Sequence, residues 1–143
     1  MSDNPAATGT PSDPATVPGA RRGAEAVMGG LAVVMTALAF VQFGLAGWGA
    51  FGGDFGVHGI LGTVIGATSI LLLIVTLVAR PSKKFIWLAV ALAVLAAPVQ
   101  TVLAAVGFNV NPWFGALHAL NGVVIFGLSG YFMNQTRARQ SMR

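Results

Sequence analysis

The chain has two histidines, and each stands in an apolar stretch long enough to cross a lipid bilayer: His58 in residues 57–79 and His118 in residues 112–133. Ionisable side chains inside such segments are costly and rare, so they mark function by default. Both carry the same companions. A glycine follows four residues later (Gly62, Gly122), an isoleucine seven (Ile65, Ile125) and a serine eleven (Ser69, Ser129), and a Phe-Gly pair precedes each histidine (Phe55-Gly56, Phe114-Gly115). Offsets of four, seven and eleven lie on one helical stripe, so each helix presents His, Gly, Ile and Ser in that order going inward. The stretches before them correspond as well: Val41-Gln42-x-x-Leu45-Ala46 matches Val99-Gln100-x-x-Leu103-Ala104.

The absence of cysteine removes disulfides, thiolate zinc sites, iron–sulfur clusters and cysteine catalysis, leaving imidazole and oxygen as ligands. The chemistry that two opposed neutral imidazoles suit is axial ligation of a haem iron, here haem b between His58 and His118. Gly62 and Gly122, one turn below, remove side chains that would collide with the macrocycle. Gln42 and Gln100 would offer carbonyl oxygens to the ring nitrogens not bound to metal. Phe43, Phe55, Trp113 and Phe114 would line the apolar edge, and Asn109 and Asn111 would stand near the propionates. Without an ionised acid or an open coordination position, such a site transfers electrons rather than catalysing hydrolysis. The alternative is a non-catalytic membrane subunit or scaffold whose glycine faces are packing surfaces, with Gly62 and Gly66 as a GxxxG pair.

These residues need a frame to hold them. Of the 143 residues, 8 % are charged and 55 % hydrophobic, against ~25 % charged in ordinary soluble domains. The apolar residues form four blocks, which predicts an all-α membrane protein: a four-helix transmembrane bundle of two tandem helical hairpins related as a parallel repeat. The expected spans are residues 27–48, 57–79, 85–106 and 112–133, within a transmembrane domain of residues 24–134. Residues 1–23, rich in Pro, Ala, Ser and Thr, read as a disordered tail, and residues 135–143 as a basic one. Pro81 should end the second helix, Pro98 should bend the third, and Asn111-Pro112 should cap and start the fourth. His58 lies nearer its helix start than His118 does, so a common depth for the pair asks the second helix to begin near Gly52.

All eight Lys and Arg residues (Arg21, Arg22, Arg80, Lys83, Lys84, Arg137, Arg139, Arg143) fall in the two tails and the middle loop. The positive-inside bias then places both termini in the cytoplasm of a multi-pass cell-membrane protein, with the histidines toward the outer face. The expected partners are the lipid bilayer and a membrane redox partner or a second copy. Nucleic acid is not expected, because the basic residues do not cluster on one soluble face among aromatics.

Gln-x-x-Leu-Ala on the odd helices and His-x-x-x-Gly on the even ones resembles one half of the haem A synthase family. It also resembles a small bacterial four-span family of the domain-of-unknown-function type. The first resemblance implies His58 and His118 as haem ligands. The synthase's catalytic half carries an acidic residue shortly before its second-span histidine and an external cysteine pair; here that region reads GGDFGVHG, with Asp54 in a loop and no cysteine. The resemblance therefore points to the non-catalytic, haem-b-binding half.

Overall fold

The computed structural model describes residues 19–142; residues 1–18, most of the expected N-terminal tail, lie outside the described residues. The chain is an all-α four-helix bundle. Its helices are Gly19–Ala50, Gly56–Ala79, Lys83–Asn109 and Pro112–Ser141, each long and apolar enough to cross a membrane. The first helix starts at Gly19, so Gly19 to Gly23 belong to it rather than to the tail; Ala20, Arg21, Arg22 and Ala24 are good helix formers. The fourth runs on to Ser141, so most of the basic tail is helical.

Each helix packs against its two neighbours in the ring: the first against the second and fourth, the third against the second and fourth. The second and fourth helices, which carry the histidines, sit diagonally opposite, as do the first and third, which carry the glutamines. Met28, Met35, Leu72, Leu92 and Phe132 are the large side chains at the centre, with the Phe85 and Phe132 rings edge to face at 5.3 Å. The predicted stripes face inward, Ile65, Ser69, Ile125 and Ser129 all being buried. A hydroxyl there needs a partner, since neither lipid nor the core supplies one. Ser69 donates to Gly66 O at 2.6 Å and Ser129 to Phe126 O at 2.9 Å, and Thr76 and Thr136 likewise donate to carbonyls of their own helices two turns further along.

Pro98 acts as expected and in a particular form. Having no N–H and a ring that crowds the preceding turn, it sits in a wide π-type turn, Leu95–Val99. The buried residues Met28, Ala32, Met35 and Ala39 share their spacing with Phe85, Ala89, Leu92 and Ala96. Gln42 follows Ala39 by three residues, whereas Gln100 follows Ala96 by four. The wide turn absorbs that one extra residue, and both glutamines point into the bundle.

The second helix begins at Gly56, not near Gly52. The histidines nevertheless reach one level, because the connection itself folds back: Phe51 N donates to Gly47 O at 3.1 Å and Gly53 N to Trp48 O at 2.9 Å. Gly52, at φ 100°, adopts the left-handed backbone that this reversal requires. At the other hairpin Asn111 caps the fourth helix, its Oδ1 accepting from Trp113 N at 3.0 Å, with Pro112 in the first turn. Replacing Asn111 with Ala should lower stability by about 1 kcal/mol, whereas Ser should hold it; thermal unfolding of the detergent-solubilised variants reads the difference.

The opposite end is polar. Glu25, buried, lies 3.7 Å from Arg139, whose guanidinium also stands over Phe85 at 6.0 Å, and Lys84 stands over Tyr131 at 5.0 Å. The described basic residues of the first, third and fourth helices thus share one end of the bundle, away from the histidines.

Candidate cofactor cleft

The four helix corners bring the predicted residues together. His58 and His118 face each other across the bundle with ring centroids 6.0 Å apart and planes inclined by 60°. They line a cleft of about 570 Å³ together with Gln42, Gln100, Gly62 and Gly122. Its remaining walls are short or aromatic: Ala46 and Ala104 above the glutamines, Gly59 and Gly115 beside the histidines, and Phe43, Phe55 and Phe108 at the rim. Trp113, 76 % exposed, and Phe114 are not among its walls. Their places in the expected apolar edge go to Phe108, which packs edge-on against Phe55 at 6.0 Å.

Each glutamine reaches the helix that follows it, but not as expected. The predicted contact was a glutamine oxygen accepting from a ring nitrogen. Instead the amide nitrogens donate to backbone carbonyls, Gln42 Nε2 to His58 O at 2.8 Å and Gln100 Nε2 to His118 O at 3.1 Å. The physical reason lies at the helix N-terminal turns, where the glycines at 62 and 122 leave the histidine carbonyls open to a side-chain donor.

The ring of His118 is held by a different acceptor. Its Nδ1 lies 3.1 Å from Gln100 O. A carbonyl can only accept, so Nδ1 carries the proton and the neutral ring keeps its lone pair on Nε2. That lone pair faces Gln100 Nε2 at 3.3 Å, a long contact. The tautomer is the one a metal requires.

Asn121, not anticipated from the sequence, completes this side. Its Nδ2 donates to Gln100 Oε1 at 2.5 Å and to Leu95 O at 3.0 Å, the latter a carbonyl at the wide turn. A strongly polar amide three residues from a histidine inside a span was the signal available, the same one that singled out the glutamines. On the His58 side, Gln42 Oε1 and His58 Nδ1 are buried without a hydrogen-bond partner among the described residues.

The glycines do shape it. A Cβ on Gly62 would stand 3.3 Å from Gln42 Nε2, and one on Gly122 3.7 Å from Gln100 Nε2. Gly66, the second member of the GxxxG pair, faces Ala96 O and Ala97 in the third helix, so this pair packs within the bundle. Asn109 and Asn111 are occupied locally: Asn109 Nδ2 donates to Ala105 O, and Asn111 is the helix cap. Asp54 accepts from Gly56 N at 3.0 Å and so serves the turn into the second helix.

Among the described residues no three His, Cys, Asp or Glu side chains converge as a bare metal site would require. Two imidazoles alone suit a metal whose other positions a macrocycle supplies. No curated protein and no solved structure matches the chain, so the likeness to the haem A synthases rests on the short motifs alone. Over residues 42–107, from the first glutamine to the glycine near the third helix's end, the chain matches the model of a family of unknown function (DUF6220), in keeping with its resemblance to a small four-span family of that kind.

Proposed function

We propose that the chain is a membrane electron carrier that holds one haem b between His58 and His118. The observation that carries this reading is the separation of the rings. With metal–nitrogen bonds of about 2 Å on one axis, two imidazole centres stand roughly 6 Å apart; here they are 6.0 Å apart on diagonal helices. The short walls at Ala46, Ala104, Gly62 and Gly122 leave room beside that axis, and the Nε2 lone pair of His118 meets only the long 3.3 Å contact from Gln100 Nε2, which a metal would displace.

Haem, when bound, supplies one-electron chemistry; the chain supplies its orientation and surroundings. His58 and His118 would hold the metal between diagonal helices. The apolar cleft with no charged wall residue favours the less charged state of the bound group, while Gln42, Gln100 and Asn121 fix the helices that carry the ligands. The parallel correspondence of the two hairpins fits a duplicated ligand frame. The basic end of the bundle supports a cytoplasmic placement of both termini in the cell membrane, with the cleft toward the outer face. A second membrane redox protein would then exchange electrons at the cleft rim, near Phe55 and Phe108.

The test is a reduced-minus-oxidised spectrum of the detergent-purified full chain supplied with haem b. A sharp low-spin α band on reduction, lost when both histidines are replaced by alanine, is the expected result. A colourless wild-type chain that takes up no haem sinks the proposal.

A further inference from the structure

We infer that the two histidines are unequal ligands, His118 a fixed anchor and His58 an exchangeable one that yields its place to a small neutral diatomic molecule. The inference rests on the haem reading above and deepens it.

On the His118 side the polar groups form a connected set of hydrogen bonds. Nδ1–H is donated to Gln100 O at 3.1 Å, and the Gln100 amide is clamped at both ends, to His118 O at 3.1 Å and by Asn121 Nδ2 at 2.5 Å. Asn121 is tied in turn to Leu95 O at 3.0 Å. The ligand, its orienting carbonyl and the amide behind it form one closed network across the third and fourth helices.

The His58 side lacks that closure. Leu61 stands three residues after His58, where Asn121 follows His118, so Gln42 Oε1 has no amide to accept from. His58 Nδ1 lies beside the Gln42 backbone without forming a hydrogen bond of proper length and angle. Besides His118 and the Gln42 backbone, the ring meets Phe55 edge-on at 5.9 Å. An imidazole whose distal N–H is held is pre-oriented and more basic; one without that partner is less firmly oriented and binds metal more weakly. The difference is written in the sequence by one residue, Asn121 against Leu61, and in the backbone by the wide turn that presents Leu95 O.

The experiment compares wild type, His58→Ala, His118→Ala and Asn121→Leu, each as the full chain in detergent with added haem b, read by haem content, spectrum and carbon monoxide binding after dithionite reduction. His58→Ala should keep its haem, turn high-spin and bind carbon monoxide immediately. His118→Ala should lose haem, and Asn121→Leu should weaken haem affinity about 10–100-fold with helicity unchanged. Wild type should bind carbon monoxide more slowly than His58→Ala, with loss of the low-spin band. Equal haem loss in the two histidine variants, retention in His118→Ala alone, or an unchanged affinity in folded Asn121→Leu overturns the inequality while leaving the haem reading intact. A wild-type chain without haem overturns the functional reading itself and the inequality with it.

Discussion

Gly107→Leu should drive the third and fourth helices apart and lower the unfolding temperature by about 4–10 °C, from an overpacking cost of about 1–3 kcal/mol. A Cβ at this position would lie 2.6 Å from Gly115 N and 2.8 Å from Gly115 Cα. Both are backbone atoms, so no rotamer change relieves the clash; the helices themselves must separate. They cannot do so gently, because only the short connection through Val110 and Asn111 joins them and Asn111 is committed to the cap. The contact follows the general habit of membrane helices, which approach closely where side chains are small. Gly115→Ala is the control: a Cβ there meets nothing within 4 Å, and the variant should unfold like wild type. Because Gly107, Phe108 and Gly115 are walls of the cleft, Gly107→Leu should also lose haem uptake, measured on the same samples. Equal thermal stability for Gly107→Leu and Gly115→Ala would mean the hairpin does not close on Gly107.

What could be read from the sequence follows the strength of each physical signal. Four apolar blocks give four helices because lipid forces every backbone polar group to be satisfied within its own segment. Histidine and glutamine stand out in such blocks, and the His-Gly-Ile-Ser spacing fixed which face turns inward; the burial of Ile65, Ser69, Ile125 and Ser129 agrees. Helix ends were less legible. The expected spans follow hydrocarbon thickness, while Gly19–Ala50 and Pro112–Ser141 continue past it on helix-forming Ala, Arg and Gln, which hydropathy does not see. The start of the second helix differs from the expected one for another reason: the turn at Gly52 lowers the chain, and a residue count cannot register that. Asn121 has no counterpart in the first hairpin, where Leu61 stands, so the matched spacing does not point to it. The glutamine partners are carbonyls rather than ring nitrogens, since spacing places a side chain near a helix without saying whether ring or backbone is the closer partner.

Gly122→Leu separates the cradle from the ligands and should abolish haem uptake while leaving the fold in place. A Cβ at Gly122 meets Gln100 Nε2 at 3.7 Å and Phe43 Cε1 at 3.8 Å, ordinary contact distances, so the first carbon is tolerated. The further carbons of leucine would extend into the cleft that the two imidazoles line. Helicity and unfolding temperature should therefore stay near wild type, and Gly122→Ala should retain most haem. Haem affinity of Gly122→Leu should fall at least about ten- to a hundredfold, the equivalent of about 1–3 kcal/mol of steric exclusion, although His58 and His118 are untouched. Gly62→Leu should be harsher, because a Cβ there already stands 3.3 Å from Gln42 Nε2 and would disturb the bond from Gln42 to His58 O. The order of haem loss, Gly122→Ala below Gly122→Leu below Gly62→Leu, is what a cofactor bed between two histidines requires. A packing surface for another protein would instead lose assembly with no change in bound haem, and full haem retention by folded Gly122→Leu would remove the cleft from the function of this chain.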